Sequence, residues 1–145
     1  MYLVMKNFEL KTFGDFLYEL SLKGKESRMR SRFIALIEAH LELIQKERDI
    51  LLKDYAKTDE NGEVITEQDE DGNPFMLIGD ATTFNLEMAK LMQEEFIIEV
   101  KDDNREMLKI VAEAVLNVDK EFSGFEAERY NRLCDVLEPA TLLVV

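Results

Sequence analysis

The sequence has no tryptophan, one cysteine, one histidine and two prolines among its 145 residues. Cys134 alone cannot form an internal disulfide, so the chain must hold together by packing. A lone thiol is the usage expected of a reducing, cytoplasmic setting. One histidine and one cysteine cannot build a zinc site without two carboxylates, and no such set stands at ligand spacing. Glycine-rich phosphate loops are missing, so no nucleotide cofactor is expected. No apolar run approaches the ~18–20 residues needed to cross a bilayer, and no membrane partner is expected. The opening MYLVMKNFEL lacks a basic flank, a long apolar stretch and a small-residue cleavage site, and is not expected to be a signal peptide.

What is present is a globular balance, 46% hydrophobic and 34% charged. That length and composition suit one domain, residues 1–145, with a core that needs no metal or disulfide. The net charge of −13 is unevenly spread: residues 1–56 hold ten Lys/Arg against nine Asp/Glu, and residues 57–145 hold eight against twenty-two. A surface of that sign repels phosphates, so direct nucleic-acid binding is disfavoured. The exception is SLKGKESRMRSR. It crowds Lys25, Arg28, Arg30 and Arg32 into the first turns of a helix, where the dipole prefers acids. These bases either pair with the acidic half of the same fold or contact an external acidic partner.

Apolar spacing and capping signals predict a mainly α fold of about five helices with a small antiparallel β element. Thr12–Asp15 reads as a capping box opening the first helix, with Gly24 placed to stop it. From Glu26 to Tyr55 the row Met29, Phe33, Leu36/Ile37, Leu41, Ile44, Leu51, Tyr55 keeps helical spacing without Pro or Gly. That is one helix of ~30 residues and ~45 Å. Leu43 and Ile50 widen its apolar stripe beyond what short neighbours cover, which marks them as an association surface for a second copy or another protein. A third helix is expected near Thr83–Glu95, a fourth capped at Asp103–Glu106, and a fifth starting at Ser123 and ended by Pro139. Tyr2–Met5, Glu63–Thr66, Phe75–Ile78 and Phe96–Val100 read as short strands.

The segment KTDENGEVITEQDEDGNPFMLI, from Lys57 to Ile78, carries the oddest composition. Seven acids, Asp59, Glu60, Glu63, Glu67, Asp69, Glu70 and Asp71, fall between positions 59 and 71 without one Lys or Arg. As a calcium loop it fails in both registers. With Gly62 at the sixth position, Lys57 and Gln68 occupy the first and twelfth; with Gly72 there, Ile78 stands where the closing Glu belongs. Asn-Gly and Asp-Gly instead predict tight turns, and Asp69–Asn73 the loop of an exposed hairpin. Its acids keep it solvated or display charge to a basic partner.

Candidate chemistry is thin. FIIEVK, Phe96–Lys101, resembles the second half of the PD-(D/E)xK nuclease signature, with Asp80 as the partner carboxylate to Glu99 and Lys101. However, the helical TTFNLEMAKLMQEEF separates them, whereas that nuclease fold sets the two acids on adjacent strands. Cys134 falls on an inward helix face without a basic neighbour to activate it, and His40 on the edge of the long helix's stripe. No catalytic residue, metal or cofactor is expected.

The order of features is then informative. Lys6-Asn7 leads to Phe16-Leu17, then Leu22-Lys-Gly-Lys-x-Ser-Arg28. A long helix is followed by Leu52-Lys-x-Tyr55-Ala-Lys-x-Asp-Glu-Asn-Gly62, Asp80 before Phe84-Asn85, and Glu94-Glu95 entering a strand. Over residues 6–100 this pattern resembles small uncharacterised proteins of temperate phages of low-GC Gram-positive bacteria. The resemblance implies a phage origin and no mechanism. The expected function is a non-catalytic interaction protein, a virion-assembly or accessory factor in the host cytoplasm or on the virion, whose protein partner the sequence does not name. The alternatives are an acidic DNA mimic that inhibits a host nucleic-acid-binding or defence enzyme and, more remotely, a metal-dependent nuclease.

Overall fold

A computed structural model describes all residues, Met1–Val145. Helical periodicity dominates the chain and the architecture is mainly α. The elements are β1 (Tyr2–Lys6), α1 (Leu10–Tyr18), α2 (Gly24–Asp54), β2 (Thr66–Gln68), β3 (Pro74–Met76), α3 (Ala81–Gln93), β4 (Glu95–Glu99), α4 (Arg105–Leu116) and α5 (Gly124–Leu137). Two 3-10 turns, Asn7–Glu9 and Glu138–Leu142, precede α1 and follow α5. The chain divides into two compact units, one of Met1–Leu41 with Glu95–Val145 and one of Glu42–Glu94. No helix is long and apolar enough to cross a membrane.

In the first unit β1 pairs antiparallel with β4, Leu3 opposite Ile98 and Met5 opposite Phe96. Strand alternation turns Leu3, Met5 and Ile98 inward, buried, and leaves Tyr2, Val4 and Ile97 exposed. Phe13 and Leu17 of α1, Phe33 and Ile37 of α2, Leu108 and Val115 of α4, and Leu133 and Leu137 of α5 are all buried. These are the residues that helical spacing places on one face of each helix.

Several boundaries differ from the sequence expectation. Thr12 lies inside α1 and caps nothing; the helix starts earlier because the Glu9 carboxylate accepts the Lys6 N–H at 2.9 Å and organises the turn before it. Gly24 does not stop α1, which ends at Tyr18, but opens α2 with φ of +61°. Asn104, not Asp103, precedes α4. Its side chain accepts the Lys101 N–H and donates to the Glu99 carbonyl, both at 2.8 Å, tying the end of β4 to the start of the helix. The fifth helix does end before Pro139, at Leu137, and the chain continues as a 3-10 turn over Glu138–Leu142 with Pro139 near its start.

In the second unit the later part of α2, a β meander and α3 follow one another. Asp59 and Asp69 build two copies of one turn. Asp59 Oδ1 accepts the N–H groups of Asn61 and Glu63 at 2.8 and 3.0 Å. Asp69 Oδ1 accepts those of Asp71 and Asn73, both at 2.9 Å. Each turn needs a residue at positive φ, and Gly62 (+78°) and Gly72 (+81°) supply it. The sequence reading placed tight turns at both Asn-Gly and Asp-Gly but expected hairpin pairing only across the second. Ala56 bridges Ile78 and Thr58 bridges Val64, while β2 pairs with β3, so each of the three extended segments pairs with both others. Ile44 of α2 and Leu91 of α3 are the buried apolar residues here.

Candidate functional site

The acidic turns are the first candidate. Two of their seven carboxylates, Asp59 and Asp69, are committed to backbone N–H groups. Glu60, Glu63, Glu67, Glu70 and Asp71 are exposed and join no ion pair. No group of three or more His, Cys, Asp or Glu converges as a cation would require. Chemically, this surface presents uncompensated negative charge.

The second candidate is the association surface. Leu43 is 47% and Ile50 57% exposed, two turns apart on one face of α2 with Glu47 between them. Ile50 and Leu51 also form one side of a groove of about 280 Å³ whose other side is α3, through Glu87, Lys90, Leu91 and Glu94. Glu87 is bridged to Lys90 at 3.0 Å, whereas Glu47 and Glu94 have no cationic partner. Leu86, one turn before Lys90, is 59% exposed. The sequence reading placed Leu43 and Ile50 outside the core but gave no hint of the α3 wall. That wall depends on how residues more than thirty positions apart pack.

The basic cluster lies in the first unit and its members part company. Lys25 is ion-paired with Glu106 of α4. Arg30 Nη1 donates to the carbonyls of Leu17 and Leu20 at 2.9 and 2.6 Å, so its guanidinium closes the C-terminal end of α1. A cation there answers both the unpaired carbonyls and the helix dipole. Arg28 and Arg32 are exposed, and the only hydrogen-bond partner of Arg32 is the sulfur of Met29 at 3.9 Å.

Asp80 is not on a strand. It is the N-cap of α3, accepting the Thr83 N–H at 3.1 Å and the Thr83 hydroxyl at 2.6 Å. Glu99 closes β4, whose neighbour is β1, and its carboxylate pairs with Lys101 at 3.4 Å. The hydroxyl and then the backbone N–H of Thr83 hold the Asp80 carboxyl below its ordinary value of 3.8. A depressed carboxylate stabilises the fold above its unfolded pKa and loses that contribution as pH falls through the lower, folded value. Protection of the Thr83 amide is therefore expected to hold through neutral and mildly acid pH and to fall below about pH 3.8. Amide exchange across that range checks it, and early loss near pH 5 would show that the cap is not formed.

His40 and Cys134 are each occupied structurally. The His40 ring stacks on Phe96 at 4.3 Å, with Nε2 2.9 Å from Oδ1 of the buried Asn7. Burial pushes the Cys134 thiol up; Tyr130 acts against this shift, and Asp135 and Glu138 add to it. A raised thiol holds little nucleophilic thiolate at neutral pH. Burial, and then Cys134, push Tyr130 up to about 12. Tyr130 thus keeps the proton that it donates to the Val115 carbonyl at 2.7 Å.

No protein family, curated protein or solved structure matches the chain.

Proposed function

We propose that the protein is a non-catalytic interaction protein, encoded by a temperate phage and serving as a virion-assembly or accessory factor. Its place of action is the host cytoplasm or the virion. The phage attribution rests on the residue pattern over positions 6–100. The interaction reading rests on one observation: Leu43 and Ile50 stand exposed on α2, in a unit whose acids outnumber its bases fourteen to five. Burying each such side chain on association would contribute at most about 1.5–3 kcal/mol, so several must act together to offset the cost of ordering two molecules. The test combines sedimentation across micromolar concentrations with affinity capture, using Leu43→Glu and Ile50→Glu. Both variants should stay folded and lose the partner or the self-association. A monomer at every concentration, with capture unchanged in both variants, would end the idea.

A second reading is favoured by the five exposed, unpaired carboxylates of the twin turns. They would stand in for DNA phosphates towards a host nucleic-acid-binding or defence enzyme. Host enzymes held by the wild type and released when all five become Gln or Asn would support it. Release by free DNA is also required, and without it the reading fails. For the nuclease alternative we expect no Mg²⁺- or Mn²⁺-dependent cleavage of DNA. Cleavage lost in both Asp80→Ala and Glu99→Ala would reverse that expectation.

A further inference from the structure

We infer that the groove between α2 and α3 in the Glu42–Glu94 unit is the docking site for a basic amphipathic helix of the partner. This rests on the interaction reading above and specifies the chemistry of what is bound. The floor is apolar: Ile50, 57% exposed, and Leu51 on one side, with Leu91 on the other. A groove of about 280 Å³ takes roughly two leucine-sized side chains. An amphipathic helix offers that number from one face at i and i+3 or i+4, with the next anchor at i+7. Leu43, two turns back along α2 on the face of Ile50, stands where that further anchor would lie.

Charge selects the sign of the occupant. The rim carries Glu47, Glu87 and Glu94 against the single Lys90, and Lys90 is already bridged to Glu87 at 3.0 Å. Glu47 and Glu94 are left without cations on either wall of an apolar slot. An acidic or neutral helix would gain the apolar contacts and leave the rim carboxylates partly desolvated and unpaired. A helix with Lys or Arg flanking its apolar stripe would satisfy them, and the acidic unit behind the groove would speed its approach.

The probe is a synthetic amidated helical peptide with Leu at the i, i+3, i+4 and i+7 positions and Lys elsewhere, beside a twin with Glu for every Lys. Calorimetry on the full chain should show saturable 1:1 binding of the Lys peptide, weakened by salt, and none of the Glu twin. Ile50→Ser should weaken the Lys peptide roughly tenfold by removing floor area, and the exposed position leaves folding untouched. The double variant Glu47→Lys/Glu94→Lys should lose the Lys peptide and gain the Glu twin. The control is Glu67→Lys/Glu70→Lys on the β2–β3 hairpin, neither of which lines the groove. If it weakens binding as much as the groove variants, the attraction is diffuse charge and the inference falls. It falls equally if both peptides bind alike, if neither binds, or if sedimentation shows Ile50-dependent dimers that fill the groove with a second copy. If neither peptide binds but capture still depends on Leu43 and Ile50, the interaction reading stands and only the basic helix is rejected.

Discussion

Replacing Phe33 by alanine is expected to destabilise the Met1–Leu41/Glu95–Val145 unit by about 3–5 kcal/mol. Phe33 is fully buried on α2, between Met29 and Ile37, which are buried one turn to either side. Removing the ring forfeits its transfer free energy and leaves a cavity that the surroundings cannot close. Near this core α1 packs against α2: a Cβ built at Gly14 would sit 3.7 Å from Ile37 Cγ2, an ordinary van der Waals contact. The loss is a large part of the ~5–15 kcal/mol that holds an ordinary domain folded. Urea unfolding followed by circular dichroism measures the total. Amide exchange should show α1, α4 and α5 losing protection relative to the wild type, with the Thr66–Met76 hairpin unchanged. Leu36→Ala, on the same helix but 38% exposed, is the control and should cost less than about 1 kcal/mol. A Phe33→Ala loss as small as that of Leu36→Ala would show that the ring is not packed as described.

The second large effect is expected from Glu9. Its carboxylate is 8% exposed, accepts the Lys6 N–H at 2.9 Å, and receives Nε and Nη2 of Arg132 on α5 at 2.8 and 3.3 Å. Glu9→Ala removes a two-pronged charge-assisted contact and leaves the Lys6 amide, part-buried, without its acceptor. A cost of about 2 kcal/mol is expected; Arg132 is 45% exposed, and water discounts the larger figure that a fully buried pair would give. Arg132→Ala alone should cost less, about 1 kcal/mol, because it leaves Glu9 its backbone bond and the solvent side opens. A double-mutant cycle of the two by chemical denaturation isolates the coupling. Strict additivity would show that the pair sits together without stabilising the fold.

These two expectations differ in how far they could be read from sequence. Phe33 was legible because α2 repeats its apolar residues at helical spacing over about seven turns, and a periodic stripe that long must be buried along much of its length. For the same reason the five helices and the antiparallel hairpin at Asp69–Asn73 were legible, with Gly72 demanded by a turn that only positive φ can close. Helix ends were less so. A cap is a single hydrogen bond, and Thr12 offered the right letters while Glu9, reached through a preceding 3-10 turn, made the bond.

The candidate surfaces divide along the same line. Sequence alone determined that Asp59–Asp71 is a solvated acidic segment, because no cation lies within it, and that Leu43 and Ile50 lie off the buried stripe of α2. It could not show that Arg30 caps α1, that Lys25 meets Glu106, that Arg132 meets Glu9, or that β1 pairs with β4. Those contacts join residues from ten to more than a hundred positions apart, and nothing in local periodicity encodes a partner at that distance. The α2–α3 groove is of this second kind. Each wall is an ordinary amphipathic helix by sequence, and only their packing turns Ile50, Leu91, Glu47 and Glu94 into one apolar slot with an acidic rim.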